Sequence, residues 1–124
     1  MAEVIGHISQ EIISILGLSD VNVGAPILIG ESNIEHIKRR YPYEFDKYYP
    51  DIREIIGSPD FVGINPSAHS IAYVKEYIIA SEYVKVAVRV TTKGQYYAKS
   101  LHSLSTYNAE RYIERGTLKK LDKK

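Results

Sequence analysis

The 124-residue chain contains no cysteine and no tryptophan, and only one methionine. Without cysteine, disulfides, thiolate metal sites and a cysteine nucleophile are all excluded. No apolar run approaches the ~20 residues that a bilayer-spanning helix requires, so the chain is expected to contact no membrane. Its first residues, Met1-Ala-Glu-Val, lack a basic stretch followed by an apolar block. A signal peptide is therefore not expected, and a cytoplasmic location is. Gly24 and Gly30 do not build a glycine-rich phosphate loop, and no Gly-x-Ser-x-Gly elbow is present. His7, His69 and His102 are too scattered for a zinc motif. The reading thus calls for no metal and no cofactor.

What is present is tyrosine, eleven against two phenylalanines, and charge that changes sign along the chain. The net charge of +1 hides a split. Residues 1–60 hold ten acids and five bases, residues 61–109 two acids and five bases, and residues 110–124 three acids and six bases. A nearly neutral protein can therefore present a basic face, and such a face attracts phosphate backbones.

No repeat or low-complexity linker interrupts the chain, so residues 1–124 read as one domain with a basic tail from about 115 to 124. Glu11–Leu16, closed by Gly17, reads as a short helix or strand. Ala25–Gly30 reads as a brief strand. Ser32 or Asn33 then offers an N-cap for a helix to about Arg40, which Pro42 stops. Pro50 suits the first turn of a helix through Ile56. Three strand-like runs follow: Ile71–Ile78, Tyr83–Val90 and Gln95–Leu101, the last two joined by a Thr92-Lys-Gly-Gln95 turn. A last helix is expected from Thr106 to Glu114, ended by Gly116. Helices followed by an antiparallel meander predict an α+β fold, with N-terminal helices on a sheet of about four strands and a C-terminal helix.

Strand parity selects which side chains can gather. Val84, Val86, Val88 and Val90 share a core face, which leaves Lys85 and Arg89 on the other. Simple alternation then allows Lys75, Arg89 and Ser100 on one polar face, with Tyr73 and Tyr96 beside them. Upstream, His36 and Arg40 lie at helical spacing. Cleavage of RNA by its own 2′-hydroxyl builds negative charge on the phosphate, which fixed cations stabilise. A histidine can move the proton, and exposed tyrosines can stack unpaired bases. Taken one at a time, each of these residues is as well explained by solubility or core packing.

Their order along the chain adds weight. Asn33-Ile-Glu-His36-Ile-Lys-Arg-Arg-Tyr-Pro42, Ile52-Arg-Glu-Ile-Ile-Gly-Ser-Pro-Asp-Phe-Val62, Ile71-Ala-Tyr-Val-Lys75, Val84-Lys-Val-Ala-Val-Arg89, Tyr97-Ala-Lys-Ser100-Leu101 and Arg115-Gly-Thr-Leu118 together resemble the phage-associated branch of the barnase–EndoU–colicin–RelE-like nuclease fold. The resemblance covers about residues 4–121. It implies metal-independent RNA cleavage that leaves a 2′,3′-cyclic phosphate, often by a toxin acting on tRNA or ribosome-bound mRNA and held by an antitoxin or immunity protein. On this chain it implies His36 as the proton carrier, Lys75 and Arg89 as phosphate holders, and Ser100 as a hydrogen-bond donor. Arg40, Tyr73, Lys85 and Tyr96 would complete the substrate contacts. The alternative is a non-catalytic RNA-binding or phage interaction module on the same fold.

Overall fold

The computed structural model describes residues 2–19, 21–65, 69–91 and 94–121. The chain runs β1 (Glu3–His7), α1 (Gln10–Leu16), β2 (Pro26–Ile29), α2 (Glu31–Arg40), α3 (Pro42–Tyr48), a 3-10 turn (Tyr49–Asp51) and α4 (Ile52–Gly57). It continues through β3 (Phe61–Asn65), β4 (Ser70–Tyr77), β5 (Glu82–Val90), β6 (Tyr96–Leu104), α5 (Thr106–Glu114) and β7 (Leu118–Lys120). The α+β class holds, but the sheet is larger than expected. Seven strands lie in the order β1-β2-β6-β5-β4-β3-β7, all neighbours antiparallel except β2 and β6. The additional strands are β1 and β7, near the two ends of the chain, and the mid-chain β3. Part of the stretch expected as a basic tail is in fact β7, paired with β3.

Local chemistry accounts for the helix boundaries. The Ser9 hydroxyl accepts the Ile12 N–H at 3.2 Å to start α1, and Gly17, with φ of 62°, ends it. This resolves the ambiguous Glu11–Leu16 run as helix. For α2 the N-cap is Gly30, rather than Ser32 or Asn33, and Asn33 instead reaches back so that its Oδ1 accepts the Gly30 N–H at 2.9 Å. Pro42 both stops α2 and occupies the opening of α3, a helix that the sequence reading passed over. The Ser105 hydroxyl accepts the Asn108 N–H to cap α5, whose span agrees with expectation. Gly94 carries a positive φ of 78° as the β5–β6 turn needs, while Thr92 and Lys93 lie outside the described residues, as does Pro66 of the expected Asn65-Pro66 loop.

The sheet has two differently covered faces. On the first, Val84, Val86, Val88, Tyr73, Ala98 and Leu101 join Ile12, Ile37, Ile52 and Ile55 of α1, α2 and α4 in the main core. On the second, a smaller cluster of Phe61, Ala72, Val74 and Leu118 packs with Leu104, Tyr83 and Ile113 of α5. Because α5 has only 9 residues, it covers just part of this face. Two polar ties lock α3 onto the sheet. Glu82 of β5 accepts the Tyr48 hydroxyl at 2.6 Å and the Lys47 ammonium at 2.9 Å, and Glu44 accepts the Ser103 hydroxyl at 3.0 Å. At one sheet edge Arg53 donates to the Val4 carbonyl at 2.8 Å and pairs with Glu3, which occupies backbone that an edge strand otherwise leaves open. No helix among the described residues is long and apolar enough to cross a membrane.

Candidate active site

The register of β4, β5 and β6 fixes which side chains meet on the face that α5 leaves open. Asn65, Ser70, Arg89 and Tyr97 stand in one row across the strands, and Lys85 is paired with Val74 and His102 in another. Between them runs a row of small residues, Gly63, Ala72, Ala87 and Ser100. The result is a trough with a low floor and taller polar groups on both sides. Lys85 and Arg89 are four residues apart on β5, roughly 13 Å along the strand, and Ala87 lies midway.

A β-bulge brings Lys99 to this face. Pairing shifts between Ala87 and Val88, so that Ser100 opposes Ala87 while Ala98 opposes Val88, and Lys99 is the extra residue. Lys99 lines a cavity of about 700 Å³ with Arg89, Thr91, Tyr97 and the first residues of α2, Glu31, Ser32 and Asn33. Lys85, Arg89 and Lys99 make no ion pair or hydrogen bond among the described residues. Burial of half-exposed Lys85, followed by the charge of Lys99, holds its ammonium below the ordinary lysine pKa. Three unneutralised cations therefore flank one trough.

His102 faces the trough opposite Lys85. Its Nδ1 lies 3.0 Å from the Ser103 carbonyl oxygen. A carbonyl can only accept, so Nδ1 is the donor in this contact, and in the neutral imidazole Nε2 then carries the lone pair. The ring is half-buried against Tyr41, with centroids 5.0 Å apart. Oriented in this way, an imidazole can receive a proton from a substrate hydroxyl. No group of three or more His, Asp or Glu residues positioned to hold a metal ion occurs among the described residues.

The structure brings together only part of the expected site. Arg89, Lys85 and Ser100 share the trough face. Lys75 does not: it points to the helical side, where it donates to the Ser58 carbonyl at 3.0 Å and lies 3.7 Å from Glu54. Tyr73 and Tyr96 are corrected with it. Tyr73 is buried in the main core with no partner for its hydroxyl, and Tyr96 packs against that core. Tyr73 is thus not placed to stack a base, while the half-buried Tyr96 lines a separate cavity with Ile71 and Val88. The bulge explains the error for Tyr96, since simple alternation links it with Ser100, whereas the inserted residue reverses the phase between them; Tyr73 and Lys75 are paired with Val86 and Val84 of the core face. His36 and Arg40 are exposed on α2. They continue the stripe begun by Ser32, so His36 lies one turn, roughly 6 Å, beyond the cavity lining. Sequence reasoning missed Lys99, Tyr97 and His102 as site residues. For His102 the available signal in the sequence is its simple alternation with Ser100.

A family model described as phage-Barnase-EndoU-ColicinE5/D-RelE like nuclease3 matches residues 3–116. The chain belongs to that nuclease family. No curated protein and no solved structure matches it. The match covers every element described above except β7, so it includes the whole trough of this phage-associated nuclease.

Proposed function

We propose that this nuclease is a ribonuclease that cuts RNA on the open face of its sheet, leaving a 2′,3′-cyclic phosphate and a 5′-hydroxyl. The reading rests on the register, which sets Lys85, Arg89 and Lys99, without ion-pair partners among the described residues, on the same sheet face as His102 and Ser100. The scissile phosphate lies between Lys85 and Arg89. His102 Nε2 takes the proton from the 2′-hydroxyl, the freed oxygen attacks phosphorus, and the bond to the 5′ oxygen breaks. Lys85, whose ammonium burial holds below the ordinary lysine range, returns a proton to that leaving oxygen. Arg89 and Lys99 hold the charge that develops on the nonbridging oxygens, with the Ser100 hydroxyl as an added donor. Fixed cations supply here the charge stabilisation that other nucleases obtain from a metal, which makes the reaction metal-independent. In the toxin setting an antitoxin or immunity protein would cover the same face.

Purified protein incubated with tRNA and EDTA should yield fragments ending in cyclic phosphate. His102→Ala and Arg89→Ala should each lower kcat/KM by about 100-fold or more, with circular dichroism unchanged. His36→Ala and Lys75→Ala should stay within a few-fold of wild type. A large loss in His36→Ala with none in His102→Ala would move proton transfer to α2. If the folded wild type binds RNA with steep salt dependence and makes no products, the chain is instead a binding module.

A further inference from the structure

We propose that the cavity between the sheet and α5 is a nucleobase subsite, seating the base of a nucleotide whose phosphate is held by Lys85. This inference rests on the ribonuclease reading above and assigns the trough a substrate-recognising end. The cavity has a volume of about 270 Å³ and is lined by Gly63, Ala72, Lys85, Leu104, Tyr112 and Thr117, among others. That volume falls just below the ~300–1,000 Å³ typical of sites for whole small molecules, and so suits one planar ring.

The shape follows from particular residues. The floor is the Gly63–Ala72 pair, which raises no side chain larger than a methyl group. A Cβ on Gly63 would overlap the Thr117 carbonyl oxygen, so the segment after α5 is pressed onto the strand and closes this end. Leu104 and Leu118 form apolar walls. Tyr112 of α5 is 36% exposed and supplies an aromatic face at the opening. Thr117 and Asn65 also line the cavity. Lys85 belongs to both the cavity and the trough, so a base in the one and a phosphate in the other can come from a single nucleotide.

The test is binding of nucleoside 5′-monophosphates and of ribose 5-phosphate to the full chain, followed by calorimetry or chemical-shift titration. At least one mononucleotide should bind roughly tenfold or more tightly than ribose 5-phosphate, the scale expected for stacking of one base on an aromatic ring. Tyr112→Ala and Leu104→Ala should remove that difference while leaving ribose 5-phosphate affinity unchanged. Tyr112→Phe, which keeps the ring, should retain it. Equal affinity for all ligands, no detectable binding of any mononucleotide, or a preference untouched by both cavity variants overturns the subsite. RNA cleavage without base-dependent binding would remove this inference alone. Base-dependent binding without cleavage would keep the subsite and remove the ribonuclease reading.

Discussion

Lys75 and Lys85 carry the same charge on adjacent strands, and the sheet sends them to opposite environments. Lys75 is held by a carbonyl and a carboxylate of the helical layer; Lys85 has no such partner among the described residues and is partly desolvated. Glu82 shows the same dependence on surroundings in a structural role. Hydrogen bonds from Tyr48 and then Lys47 hold its carboxyl below the usual carboxylate range. Burial and the neighbouring Glu82 in turn push the Tyr48 hydroxyl up to about 12. Because the folded-state pKa of Glu82 is lowered, its stabilisation is present above the unfolded value and is lost as pH falls through the folded one. Glu82→Gln should therefore destabilise the protein near neutral pH by about 1–3 kcal/mol, the cost of weakening the partner of a buried hydroxyl. Thermal unfolding as a function of pH checks this. The gap between variant and wild type should close below the carboxylate range, and a constant gap would mean that ionisation of Glu82 contributes nothing.

At the scale of elements, close approach of backbones sets the limits. Gly63 lets the Thr117 carbonyl and β7 press onto β3, so Gly63→Ala forces that segment outward. A loss of about 1–3 kcal/mol is expected, as for other overpacked sites, and urea denaturation measures it. An unchanged midpoint would show that the segment moves freely. The same close packing explains what the sequence revealed and what it concealed. The spans of β4, β5 and α5 were legible because valine alternation, glycine at turns and a serine cap act locally. β1 and β7 were not, because 5 and 3 residues carry too little periodicity and become strands only through their neighbours. α3 was hidden by Pro42, which favours a helix start as strongly as a helix end. In the site, Lys85 and Arg89 could be placed from the alternating valines. Lys75 could not, since its parity is the same whether it faces α4 or solvent.

Across the whole molecule, the acidic first half of the chain builds α1 to α4, and the basic second half builds the trough. The charge split in the sequence thus corresponds approximately to two layers of the fold. RNA binding should weaken steeply with salt. Lys85→Gln, Arg89→Gln and Lys99→Gln should each reduce the slope of log affinity against log salt by roughly 0.7–1, about one phosphate contact apiece. Filter binding over a salt series reads this out. Slopes identical to wild type in all three would place the RNA path on another surface.

The single extra residue in β6 has a meaning beyond local geometry. Up to Lys99 the odd-numbered positions face the trough, and from Ser100 onward the even-numbered ones do. The strand is written in two reading frames, joined at one residue. Tyr97 and Lys99 belong to the first and Ser100 and His102 to the second, so any pattern that keeps one frame recovers only half of the site.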